Sequence, residues 1–293
     1  LHLSLRRQRQ MCIRDREKGV TFSSDKGGVN EMTNMPELEF IQISIPEEAI
    51  VAITLNRPPV NAFNPQMYHE VKLAFEYANA PENRYRCIIL NAKGKMFSAG
   101  NDISIFSDDA VYQNPNYSSI VDEAGNAVLF SEIPVVCSVN GACVGTGFCL
   151  AAVSDVVVAS EKGKFGITEL NVGVIGGAPE AGYCLPPKVV RYMALTGNLL
   201  TAEQMHQYNM VCKVVPEDRL AEETLSVARD IAKHDPLGLR CVRKVLLKIY
   251  DPNELGENVD YSSGLNREHK KTEDFKEAGC AFREKRRPVF WGR

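Results

Sequence analysis

Residues 134–182 constrain this chain more than any other stretch. A buried-strand run, Pro134-Val135-Val136-Cys137-Ser138-Val139, leads into a glycine-rich turn and helix start, Asn140-Gly141-Ala142-Cys143-Val144-Gly145-Thr146-Gly147. A second β-rich run, Val156-Val157-Val158-Ala159, comes next, followed by one isolated carboxylate, Glu169, and a further glycine cluster from Gly173 to Gly177. Glycines between a strand and a helix let the backbone approach a ligand closely and aim free N–H groups at it. A lone carboxylate bordering such a turn suits proton transfer beside a developing oxyanion. Tight packing of a helix on a sheet would use the same glycines. Gly145-x-Gly147 has neither the full dinucleotide pattern nor a Walker lysine, so no phosphate cradle is indicated.

Composition narrows the class. The 293 residues allow one large domain or a domain with an appendage, and 44% apolar with 24% charged residues is ordinary for a soluble globular protein. A formal charge of −3 makes no electrostatic case for nucleic acid or a membrane surface. No apolar run reaches the ~18 residues of a spanning helix. Nine cysteines lack any Cys-x-x-Cys pair, and Cys137, Cys143 and Cys149 lie in apolar runs. That pattern suits buried free thiols in a reducing compartment, and a cytoplasmic location is expected.

Residues 1–31 are arginine-rich, with neither a secretory apolar core nor a clean amphipathic pattern, and are expected to be a non-native or disordered extension. From Phe40 the pattern becomes structured. Ile41–Ile45 and Ile50–Leu55 read as strands joined by a Pro46-Glu47-Glu48 turn. Asn64-Pro65 opens a helix, with Met67, Val71, Ala74, Phe75 and Ala78 on one buried face. Residues 86–91 form another strand, 107–117 a polar loop, and 119–130 a helix. After Pro186-Pro187 the pattern predicts a helix ending at Gly197, another capped by Thr201, and a short strand over 211–216. Helices over 218–233, 236–250 and 266–285 complete the chain. The histidines His69, His206, His234 and His269 lack ligand spacing and are expected to be solvated. Asp155 is expected to act as a turn or cap residue.

Six motifs in order carry a resemblance. They are Leu55-Asn56-Arg57-Pro58 with Asn61-Ala62; Phe97-Ser98-Ala99-Gly100-Asn101-Asp102; and Asn140-Gly141 with Gly145-Thr146-Gly147. Phe165-Gly166 with Glu169 and Gly173, Leu195-Thr196-Gly197 with Ala202, and Phe282-Arg283-Glu284-Lys285-Arg286 complete the set. From Phe40 to Arg293 the chain resembles the crotonase superfamily of enoyl-CoA hydratases and isomerases. The resemblance implies an α/β fold, a spiral of ββα units over 36–235, with a C-terminal helical region over 236–293 that assembles trimers or dimers of trimers. It implies an acyl-CoA thioester substrate, with coenzyme A part of that substrate, and no metal or redox cofactor.

The resemblance also assigns roles. Oxyanion donors would be the amides of Asn101 and Thr146, although Thr146 stands where many relatives carry glycine. Glu169 would be the acid/base. Arg57, Ala99, Gly100, Asp102, Ile103, Gly145, Cys149, Phe282 and Lys285 would surround the acyl-CoA. Hydratases of the family usually add a second glutamate, and that position aligns with Cys149, whose thiol is no substitute for a carboxylate base. The pattern therefore leans to double-bond isomerisation with a single base. Hydration by Glu169 alone, other thioester chemistry and a non-catalytic acyl-CoA-binding scaffold stay open. Glu180, beyond the second glycine cluster, is expected to be an exposed loop charge. Ser104 replaces the lysine that relatives carry after the Ala-Gly-x-Asp-Ile motif. Asn209 replaces a frequent glycine, and asparagine is the next-best residue for a positive φ.

Overall fold

A computed structural model describes residues 34–104, 115–249 and 252–290. The extension over 1–31 and most of the polar loop expected over 107–117 lie outside those residues. In chain order the elements are β1 (Ile41–Glu47), β2 (Ile50–Leu55), α1 (Pro65–Asn79), β3 (Cys87–Ala92), α2 (Pro115–Leu129), β4 (Val135–Val139) and β5 (Ala142–Val144). Then come α3 (Thr146–Ala152), β6 (Val156–Ser160), β7 (Lys164–Gly166), α4 (Ala178–Cys184), α5 (Pro187–Thr196), β8 (Leu200–Thr201) and α6 (Ala202–Gln207). Last are β9 (Lys213–Val215), α7 (Leu220–Ala232), α8 (Pro236–Ile249), α9 (Pro252–His269) and α10 (Glu273–Glu284).

The strands form two sheets. The larger has the order β1-β2-β3-β4-β6-β9, with β1 antiparallel to β2 and every later pair parallel. The smaller, β5-β7-β8, pairs β5 with β7 in parallel and β8 antiparallel. Central strands of the larger sheet are buried on both faces, which is why their sequences read as continuous apolar runs. Val51, Ile53, Leu55, Ile88, Leu90, Val135 and Cys137 share the core with Met67, Val71, Ala74 and Phe75 of α1. The alternate residues Ile50, Ala52, Cys87, Ile89, Val136 and Val158 pack with Leu220, Ala228 and Ala232 of α7 on the opposite face. Each large apolar side chain so buried contributes ~1.5–3 kcal/mol.

Local rules hold at several caps. The Asn64 side chain accepts from the Met67 amide, and Thr201 with Gln204 forms a capping box. Asn209 adopts φ 65°, as expected for a residue in place of glycine. Asp155 accepts from the Val135 amide at 2.7 Å and from Arg243 Nε at 2.9 Å. Arg243, 3% exposed, also donates to the carbonyls of Val128, Leu129 and Ser131 at the end of α2, tying α8 to that helix.

Other expectations need correction. Pro46 lies inside β1, an edge strand with a register shift between Ser44 and Glu47, where a missing amide donor breaks no ladder. The turn is Glu48-Ala49. Within the glycine-rich stretch, Ala142–Val144 is a strand, because it pairs with both β7 and Ser98. The polar residues 252–269 form a helix that weak amphipathicity concealed. No helix among the described residues is long and apolar enough to cross a membrane.

Candidate active site

Two glycine turns meet in one place. The stretch after β3 is threaded into the fold at Ser98, whose amide donates to the Ala142 carbonyl while its own carbonyl accepts from Val144. The buried Ser98 hydroxyl donates to the Asn61 carbonyl at 2.7 Å and accepts from the Gly100 amide at 3.1 Å. Gly100 and Gly145 then pack directly on one another, with φ +83° and +54°. A Cβ on Gly100 would stand 3.2 Å from the Val144 carbonyl oxygen and 3.6 Å from the Thr146 nitrogen. A Cβ on Gly145 would stand 3.2 Å from the Gly100 Cα. Only glycine allows that approach with this backbone.

The amides that follow are turned away from the ladder. Phe63 bridges to Asn101 by donating to the Gly100 carbonyl at 2.8 Å and accepting from the Asp102 amide at 2.9 Å. That pattern uses the residues flanking Asn101 and leaves its own N–H on the other side. Thr146 is the first residue of α3, where an N–H has no intrahelical acceptor. Asn101 and Gly145 line a cleft of about 130 Å³ together with Ala99, Gly100, Ile103, Thr168, Glu169, Asn171, Val172, Val174 and Phe282. Two such amides beside one cleft can stabilise an oxyanion.

Glu169 is the one carboxylate lining this cleft among the described residues. It opens a 3-10 turn, Glu169–Val172, which Gly173 closes at φ 79°. Its Oε1 lies against Gly145 and Gly177: a Cβ on Gly177 would stand 2.9 Å from that oxygen, and one on Gly145 would stand 3.7 Å away. Its Oε2 is buried and has no hydrogen-bond partner among the described residues. Burial pushes the carboxyl up to about 7, with the Glu180 charge adding to the effect and backbone amides pulling partly back. A displacement of that size corresponds to roughly 3 kcal/mol against the charged form. A carboxylate poised near neutrality is suited to taking a proton and returning it.

The remaining expected residues divide. Ile103 and the half-exposed Phe282 border the cleft with Ala99 and Gly100. Arg57 instead donates to Asp102 Oδ2 at 2.8 Å and to the Ala62 carbonyl at 2.7 Å, with its guanidinium over the Phe40 ring. Burial opposes it, but hydrogen bonds from Ser104 and Arg57 hold Asp102 below its ordinary range. Lys285 is exposed and terminates α10 in a left-handed conformation. The Cys149 thiol, beside the core, is pushed well up by burial and by the nearby Glu180 and Glu169 charges.

Glu180 is not a loop charge. It sits in the first turn of α4 with Oε2 buried and unpartnered among the described residues. Burial raises its carboxyl, against which the Cys149 thiol is a hydrogen-bonding neighbour. The histidines also differ from expectation in part: His206 Nδ1 is 2.7 Å from the Val211 carbonyl oxygen, and His269 Nδ1 is buried. No group of three or more His, Cys, Asp or Glu side chains among the described residues could hold a metal ion.

Sequence reasoning passed over Tyr68. Its hydroxyl is 2.5 Å from Asn101 Oδ1 and 2.5 Å from Thr146 Oγ1, and the Tyr117 hydroxyl reaches the same Asn101 oxygen at 3.0 Å. A signal was present, because Tyr68, Val71 and Phe75 share one helical face. A tyrosine buried there needs a polar partner for its hydroxyl.

Comparison with known proteins identifies the family. Residues 46–293 match the family described as Enoyl-CoA hydratase/isomerase. The 1,2-epoxyphenylacetyl-CoA isomerase of Escherichia coli is 30% identical over 267 residues, 87% of this chain and 100% of that protein. The (7aS)-7a-methyl-1,5-dioxo-2,3,5,6,7,7a-hexahydro-1H-indene-carboxyl-CoA hydrolase of Mycobacterium tuberculosis is 34% identical over 70% of this chain and 83% of its own. A crystal structure of an enoyl-CoA hydratase/isomerase from Pseudoalteromonas atlantica T6c superposes with a TM-score of 0.77 at 25% identity, covering 86% of this chain and 100% of that one. With the crotonase-like fold, the paired glycine turns and these matches in hand, the chain belongs to the enoyl-CoA hydratase/isomerase family of enzymes acting on CoA thioesters.

Proposed function

We propose that the protein moves a double bond within an enoyl-CoA, converting the 3-enoyl to the 2-enoyl thioester with Glu169 as the only base. Glu169 removes a proton from C2, and the C–H electron pair shifts into the thioester to give an enolate. The Asn101 and Thr146 amides hold the negative oxygen, each such donor being worth about 2.7–4 kcal/mol. The carboxylic acid then returns the proton to C4 as the C2=C3 bond forms. No water is consumed, so one base suffices.

The observation that carries this reading is the cleft itself. Glu169 lines it together with Asn101 and Gly145, the residue before Thr146, while Cys149, which the resemblance aligns with the second hydratase glutamate, has its thiol pushed well up. The E. coli relative named as an isomerase supports isomerase chemistry on this scaffold. Phe282 at the cleft edge and the neighbouring Lys285 would receive the nucleotide of coenzyme A. Arg57, paired with Asp102, would shape the loop beneath it.

One observation favours hydration as a second reading. Glu180 is a second buried carboxylate electrostatically felt by Glu169, and it could help hold a water. An NMR time course in D2O with 3-hexenoyl- and 2-hexenoyl-CoA separates the two. Conversion of the 3-enoyl to the 2-enoyl ester without 3-hydroxyacyl product, abolished in Glu169→Gln, is expected. Accumulation of 3-hydroxyhexanoyl-CoA from the 2-enoyl ester would replace isomerisation by hydration.

A homo-oligomer, trimer or dimer of trimers, belongs to the same proposal. Val242, Val245, Leu246 and Ile249 of α8 form an apolar stripe at helical spacing that is exposed among the described residues. Light scattering on the purified chain should give three or six times the monomer mass, and a monomer would refute assembly through this region.

A further inference from the structure

Each amide that flanks the cleft follows a glycine of positive φ: Asn101 follows Gly100, and Thr146 follows Gly145. The direction of each N–H therefore depends on a residue with no side chain to restrain it. The restraint comes from one position later. Tyr68, fully buried on α1, places its hydroxyl 2.5 Å from both the Asn101 and the Thr146 side-chain oxygens.

The proton directions follow from the groups present. Asn101 Oδ1 can only accept, so the Tyr68 hydroxyl donates to it, as does that of Tyr117 at 3.0 Å. With its single proton engaged there, Tyr68 Oη accepts from the Thr146 hydroxyl. The order is Thr146 to Tyr68 to Asn101, with Tyr117 closing on the same oxygen. The Tyr68 ring, buried, packs on Phe63 at a centroid distance of 4.9 Å and on the edge-on Tyr117 ring at 6.2 Å.

We propose that Tyr68 is a positioning residue for the oxyanion donors: its hydroxyl clamps the side chains of the two residues whose amides hold the enolate, and so sets their separation and aim. This rests on the reading of those amides as an oxyanion hole. Tyr68 is not among the residues that line the cleft, and Asn101 and Thr146 carry its hydrogen bonds, although the charges of Glu169 and Cys149 also act on its hydroxyl.

The test uses the full chain and acetoacetyl-CoA, whose enolate carries a negative oxygen like that of the reacting thioester and is read by its ultraviolet absorbance. In the wild type, binding should lower the pH at which the ligand enolises. Tyr68→Phe, which keeps the ring, should raise that pH by about one unit and lower kcat on 3-hexenoyl-CoA roughly ten- to hundred-fold, with KM changed less than about threefold. Thr146→Val should lose a similar amount, Thr146→Ser should recover most of it, and Tyr68→Phe/Thr146→Val should lose no more than either alone. Wild-type enolisation in Tyr68→Phe, or losses that multiply in the double variant, would overturn the clamp while leaving the oxyanion hole intact. If the wild type itself does not promote enolisation on binding, the oxyanion-hole reading fails and the clamp falls with it.

Discussion

Glu169 and Glu180 each bury one carboxylate oxygen, Oε2, without a partner among the described residues, and the charge on Glu180 adds to burial in opposing ionisation of Glu169. Two carboxylates set this way retain protons to higher pH than exposed ones. Glu169 must lose its proton to act as a base. The kcat/KM profile should therefore rise with pH through a limb centred near about 7. Glu180→Gln removes one contribution but not burial, and should move that limb to lower pH. A limb that stays in place would show that Glu180 does not act on Glu169.

Stability follows the same protonation with a defined sign. A carboxyl whose folded value lies above its unfolded value favours the protonated folded state, so its contribution is present at low pH and is lost as pH rises through the folded value. Glu169 and Asp122, both raised by burial to about 7, place that loss between about pH 5 and 8. Melting temperatures at pH 6 and pH 8 should show the wild type losing more than Glu169→Gln. Equal losses would contradict the raised carboxyl.

Gly177→Ala should damage the site by crowding Glu169. The residue adopts φ +73°, and a Cβ would press on Glu169 Oε1 at 2.9 Å. The backbone alone should cost about 1–2 kcal/mol. Displacing the base should lower kcat by roughly a further ten- to hundred-fold. Unchanged turnover with lowered stability would mean that the carboxylate has room to move.

Arg243→Met should destabilise the protein without entering the chemistry. The substitution strips Asp155 of its guanidinium partner and removes the Arg243 donors to the Leu129 and Ser131 carbonyls, while the Val128 carbonyl keeps the Ser131 amide. Removing one member of a buried ion pair costs about 3–5 kcal/mol. Urea unfolding should show that loss, while kcat of the remaining folded enzyme stays near wild type. A loss below about 1 kcal/mol would place the pair with ordinary surface bridges.

Phe282→Ala should raise KM for CoA esters and leave kcat alone, because a ring at the cleft edge holds substrate and transition state equally. A fall in kcat with KM constant would move Phe282 into the reacting part of the cleft.

By itself the sequence determined the larger features. Apolar runs and their periods located the strands and most helices, since burial on two faces or on one leaves a local record in residue order. Motifs at fixed spacing identified the family, and with it the two glycine turns and Glu169. Asn209 and the Thr201 cap were equally legible, because a positive φ or an unpaired helix amide restricts the residue at that position.

Only the tertiary structure decided what the buried polar groups meet. Tyr68 stands 33 residues from Asn101 and 78 from Thr146 along the chain, so periodicity could bury it but could not supply its partners. Glu180 read as a loop charge because it lies just beyond the second glycine cluster, yet a short helix turns its carboxylate inward beside Cys149. Arg57 read as a ligand contact through the resemblance, and only the packed structure adds that Asp102, 45 residues on, engages it. Local pattern records which face of an element leaves water. The identity of the group that waits there is set by how distant elements pack, and in this protein that packing buries a Glu169 oxygen and brings Tyr68 to the side chains of Asn101 and Thr146.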